Sequence, residues 1–118
     1  MLMVKDKGII IQIIKRCQRI LNKIENIEYE EFENDDDLKE IISFNIFQIG
    51  ELSNNLSKDF LLEYKEIPWK YIIGMRNRIV HGYNTINVKI VFNTAIKSVS
   101  ELLECCLSIL KKELIINK

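Results

Sequence analysis

From Ile10 the apolar residues recur at Ile10, Ile13, Cys17, Ile20, Ile24 and Ile27, in alternating steps of three and four. That is the period of one face of an α-helix, and Ile9, Ile14 and Leu21 widen the stripe, so the spacing predicts an amphipathic helix of about five turns. A second helix is predicted to start near Asp36 or Asp37, acids that cap or complement an N-terminus, and to carry Leu38, Ile41, Ile42, Ile46, Ile49, Leu52 and Leu56. Its apolar arc is wide, with Phe44 and Phe47 on neighbouring faces. Such a helix belongs in the middle of a bundle or at a subunit contact. Gly50-Glu51 interrupts its centre. Glycine there costs about 1 kcal/mol relative to alanine, which favours close approach of another helix over a direct functional role.

Between these helices, Glu28 to Asp37 holds seven acidic side chains with only Tyr29 and Phe32 as aromatics, and reads as a solvated connection. It lacks the glycine and ligand spacing of a calcium loop. Residues 58–66 suit one or two helical turns. Pro68 then marks a fresh start, because proline fits the first turn of a helix, and Trp69, Ile72, Ile73, Ile79 and Val80 give the following segment a buried side that Gly82 ends. A last long helix is signalled by Val88, Val91, Phe92, Ala95, Val99, Leu102, Leu103, Cys106, Ile109 and Leu110. No stretch alternates with period two for long enough to argue a sheet. The expected fold class is all-α: an up-and-down bundle of four long helices plus a short extra helix, forming a single domain over residues 1–118.

Charge alters this picture locally, not globally. Seventeen basic and seventeen acidic residues give a formal net charge of zero, so nothing overall drives the chain toward nucleic acid or an anionic membrane. The three cysteines, Cys17, Cys105 and Cys106, form neither a CxxC pair nor a disulfide framework and read as reduced core residues of a cytoplasmic protein. The N-terminal apolar stretch is too short and too polar for a signal peptide or a membrane span. Tyr64, Trp69 and Tyr71 could stack on bases, but near Pro68 they read as core residues and residues at the start of a helix.

The chemical signal lies in Arg76-Asn77-Arg78-Ile79-Val80-His81-Gly82-Tyr83. Arginine is scarce here, four residues against thirteen lysines, and two of the four, Arg76 and Arg78, stand together just before the single histidine, His81. On a helix Asn77 and Arg78 lie near the face of His81, whereas Arg76 is about 140° away unless the helix ends before the histidine, an ending that Gly82 favours. Such groups suit an anion, with arginine as a bidentate phosphate ligand and histidine as a proton carrier near neutral pH. Cleavage of RNA by its own 2′-hydroxyl needs a base, an acid and positive charge on the transition state, with no metal. Arg76 can supply the charge and His81 one proton transfer. A two-fold dimer that brings both His81 residues into one cleft would supply the second. Against this stands the plainer possibility that His81 and the arginines only complement a helix C-terminus.

The segment resembles the R-x4-6-H motif of the HEPN superfamily, and more closely its HepT-like branch, in which the motif continues as His-x-Tyr. Arg76 and His81 enclose four residues and His81-Gly82-Tyr83 completes the extension, while Gly50-Glu51 and Ile67-Pro68-Trp69 are also similar to that branch. The resemblance implies an α-helical homodimer acting as a metal-independent endoribonuclease on RNA such as tRNA or mRNA. It further implies the toxin of a two-gene system without cofactors, whose nucleotidyltransferase-fold antitoxin transfers AMP to the motif tyrosine. Carried over residue by residue, Arg76 and His81 are the catalytic pair, Tyr83 is the modification site, and Asn77, Arg78 and Glu51 are supporting groups. The rival expectation is a non-catalytic nucleotide- or partner-binding subunit of a nucleotidyltransferase complex.

Overall fold

The first helix reaches further toward the N-terminus than its apolar stripe requires. In the computed structural model, which describes residues 2–81 and 87–116, helix α1 spans Val4–Ile24, and Ile10, Ile13, Cys17 and Ile20 are wholly buried. The early start follows from Asp6. This residue is only 2% exposed, and its carboxylate accepts bonds from the Ser57 backbone N–H (2.9 Å) and Ser57 Oγ (2.7 Å). A buried carboxylate is tolerated when such donors replace water. Ser57 Oγ in turn accepts from the Phe60 N–H and caps the short helix α4, Lys58–Glu63. One acid thereby ties the start of α1 to the segment following the next long helix.

The acidic connection is helical, contrary to its reading as a solvated link. Helix α2 spans Tyr29–Asn34 and opens on a capping box between Glu28 and Glu31. Its acids stay in water, but Phe32 is fully buried against Phe92 (centroids 5.2 Å apart), and Tyr29 meets the same ring edge-on. Two aromatic side chains outweigh the charge pattern, because each buries a large apolar area. Asp35 then caps α3, Asp36–Asn54, by accepting from the Leu38 N–H.

Helix α3 occupies the middle position its wide apolar arc predicts. It packs against α1 on one side and against α5, Trp69–His81, on the other, while α1 also packs on α7. Contacts of Asp6 with Ser57 and of Arg16 with Asn45 show α1 and α3 running antiparallel. Before α5, the Trp69 indole N–H donates to the Tyr64 carbonyl and Phe60 packs on both rings. The Pro68 carbonyl accepts the first helical bond, from Ile72. Trp69 is buried as expected, but Tyr71 is 42% exposed.

The last predicted helix is interrupted. Helix α6, Val88–Asn93, passes through a π turn, Thr94–Ser98, into α7, Val99–Ile116, and the Val99 N–H bonds to the Thr94 carbonyl five residues back. Ser100 Oγ donates to the Ile96 carbonyl across the turn (2.7 Å). Among the described residues there is no strand and no helix long and apolar enough to cross a membrane. The all-α bundle is therefore as expected. Cys17 and Cys106 are buried and Cys105 half-buried, all as free thiols. Burial pushes the Cys17 thiol up to about 12 and raises the Cys106 thiol as well.

Candidate functional site

Gly50 is where the central helix meets the motif helix. A methyl group at this position would lie 3.2 Å from Arg76 Cβ, 3.2 Å from the Ile72 carbonyl oxygen and 3.3 Å from the Arg76 backbone nitrogen. Two of those three atoms belong to backbone and cannot swing away, so any side chain here would press α3 and α5 apart by a fraction of an ångström. Close packing is thus what Gly50 provides, and the residue it packs against is Arg76.

The next residue uses that proximity. Glu51 Oε1 accepts a charge-assisted bond from Arg76 Nη1 at 3.1 Å, with the two side chains 43% and 27% exposed. The pair fixes the guanidinium between two helices at the edge of solvent, where one carboxylate oxygen engages one of its five N–H donors. Arg76 Nε is buried and has no partner among the described residues. The guanidinium nitrogens that stay at the solvent edge, not the buried Nε, are the ones that suit an incoming phosphate. The role of Glu51, obscure from sequence, is in this geometry to hold Arg76.

The other sequence-derived positions are distributed differently. Asn77 is exposed and does not join the Glu51–Arg76 pair. Helix α5 continues to His81, so it does not end before the histidine, and positions 76 and 81 stand about 140° apart around its axis. Positions 77 and 81 share a face, one turn apart. The side chains of Arg78 and His81, and Tyr83 as a whole, lie outside the described residues.

The motif is now set on a helical bundle with its arginine anchored by the Gly50-Glu51 pair. Residues 10–109 match the family described as "Ribonuclease HepT-like". An RNase candidate of Caldanaerobacter subterraneus subsp. tengcongensis, TTE0752, is 33% identical over 101 residues, which cover 86% of this chain and 90% of the relative. An RNase candidate of Methanocaldococcus jannaschii, MJ1216, is 31% identical over 96 residues, 81% of this chain and 79% of the relative. A chain named "Probable ribonuclease HepT" from Thermococcus cleftensis is 33% identical over 54 residues, 46% of this chain and 49% of its own length. No solved structure matches. The match to the family model runs through α1, the Gly50-Glu51 pair, the motif and most of α7, and on it the chain belongs to the HepT-like ribonuclease family of the HEPN superfamily.

Proposed function

We propose that the chain is the toxin of a toxin–antitoxin pair, an endoribonuclease that cleaves RNA without a metal and is silenced by AMP transfer to Tyr83. The observation that supports it best is the anchored Arg76, its guanidinium held by Glu51 at the edge of solvent. In the reaction a base removes the 2′-hydroxyl proton and O2′ attacks the adjacent phosphorus. Negative charge grows on the phosphoryl oxygens beside Arg76, and the 5′-oxygen leaves with a proton from an acid. The products are a 2′,3′-cyclic phosphate and a 5′-hydroxyl. His81 serves as proton carrier, and Asn77 and Arg78 position the phosphate.

One histidine per chain does not supply acid and base together, and on a helix continuous through position 81 it stands well round from Arg76. Both considerations favour a homodimer whose two motifs share one cleft. Inhibition follows from charge. The Tyr83 oxygen attacks the α-phosphorus of ATP, pyrophosphate leaves, and the attached AMP places an anion two residues from His81, which repels RNA.

Expression in cells tests the reading. The wild-type chain made without its antitoxin should arrest growth, His81→Ala should not while remaining a folded dimer, and co-expression with the transferase should add AMP masses that Tyr83→Phe abolishes. Growth arrest by folded His81→Ala removes His81 from the mechanism. Identical mass spectra for wild type and Tyr83→Phe remove the modification, and a harmless wild type that binds the transferase favours a non-catalytic subunit.

A further inference from the structure

A neutral net charge conceals a strong segregation. Residues 25–63 carry twelve acids and two lysines, whereas α1 carries six basic residues and one acid, Asp6, which is buried on Ser57. Along α1, Lys5, Lys15, Arg16, Arg19 and Lys23 fall within an arc of about 100° and extend over about 27 Å, opposite the apolar stripe. All but Arg16 are exposed, and none of the five pairs with a carboxylate among the described residues. The face carries one sign of charge only, which is what a polyanion's backbone requires.

Arg16 adds an independent observation. Its Nη1 donates to Asn45 Oδ1 at 3.0 Å, and Asn45 is itself only 3% exposed and fixed by its own bond to the Ile41 carbonyl. The guanidinium lies 5.6 Å from the centre of the Phe44 ring, and 53% of Phe44 remains in solvent. A large exposed aromatic beside a held guanidinium, on a row of unpaired cations, combines a stacking platform with a backbone-tracking stripe.

We propose that this outer face of α1, with Phe44, is a second RNA-contacting surface, separate from the motif, which binds the phosphate backbone of a long or folded RNA and stacks an unpaired base on Phe44. The proposal rests on the ribonuclease reading. Asn45 and Glu51 are six residues apart on α3, about 240° around its axis and about 9 Å along it, so the stripe and Arg76 lie on different sides of the central helix. A dinucleotide reaches one of them. An RNA the size of tRNA reaches both, and the surface therefore selects long substrates.

The test compares the full wild-type chain with Lys15→Gln/Arg19→Gln/Lys23→Gln and with a control, Lys65→Gln/Lys97→Gln/Lys111→Gln, that removes the same charge elsewhere. All six positions are exposed and glutamine is a good helix former, so both variants should fold. Binding of a noncleavable 2′-O-methyl tRNA copy is measured between about 50 and 200 mM salt, alongside cleavage of tRNA and of a dinucleotide. Losing three phosphate contacts should lower the magnitude of the slope of log affinity against log salt by about 2–3, with affinity down about tenfold or more. Dinucleotide cleavage should be unchanged, the control should track wild type, and Phe44→Ala should weaken single-stranded RNA binding. Equal affinity and slope in the triple variant, with wild type still cutting, overturns the surface but leaves the ribonuclease reading intact. Loss of the dimer with unaltered RNA affinity would assign α1 to the acidic segment of a second copy and also overturn it. A wild type that neither binds nor cuts any RNA overturns both.

Discussion

Gly50 and Glu51 form a two-residue device: one removes a side chain so that α5 can approach, and the other grips the arginine that approach delivers. Gly50→Ala gains about 1 kcal/mol of helix propensity but forces a methyl against the Ile72 carbonyl and the Arg76 backbone, an overpacking cost of about 1–3 kcal/mol. The urea midpoint should fall, and an unchanged or higher midpoint would show that α5 has room to withdraw. Glu51→Ala should lower RNA cleavage by about tenfold while keeping the fold, since it frees Arg76 without deleting it. Glu51→Gln, which keeps an acceptor, should recover part of the loss. The thiols carry a pH prediction. Burial raises the Cys17 thiol from 9.0 to about 12, so between those values the folded chain retains a proton the unfolded chain has lost. Stability complete below about pH 9 should decline as pH rises through that window, with a slope of up to about 1.4 kcal/mol per unit for this thiol. Urea unfolding at successive pH should show a shallower decline in Cys17→Ala; parallel curves would contradict it.

At the scale of elements, the long periodic segments were legible because burial follows a three-four spacing that composition cannot hide: Ile10, Ile13, Cys17 and Ile20 are all wholly buried. The failures have local causes. Seven acids around Tyr29 and Phe32 looked like solvent-facing chain, yet two rings packed on Phe92 decide the course of a six-residue helix. The burial of Asp6 left no local sign because its partner, Ser57, lies 51 residues away. The π turn left no mark in a hydrophobic pattern that is continuous across it. Phe32→Ala should therefore cost about 3–5 kcal/mol and loosen α2 and α6 together, visible as faster amide exchange in both. Retained protection in α6 would mean that Phe92 is held by other neighbours. Asp6→Ala should lower stability by about 1–3 kcal/mol, since it strands the Ser57 N–H and hydroxyl.

For the whole molecule, family membership was legible before any fold was known, because arginine beside a lone histidine stands out in a lysine-rich chain and the segment matches the family's motif. What spacing did not disclose was the partner of Arg76, since Glu51 lies 25 residues earlier on a different helix. Family membership makes RNA the substrate class, and the anchored guanidinium is the group that would meet its phosphate. The most direct measurement is RNA cleavage in excess EDTA by wild type, Arg76→Lys and His81→Ala, with the product ends mapped. Wild type should cut and leave 2′,3′-cyclic phosphate and 5′-hydroxyl ends, His81→Ala should not cut, and Arg76→Lys should lose about a hundredfold or more, because a lysine offers no planar fork to a phosphate. Activity abolished by EDTA, or undiminished in either variant, would contradict this mechanism.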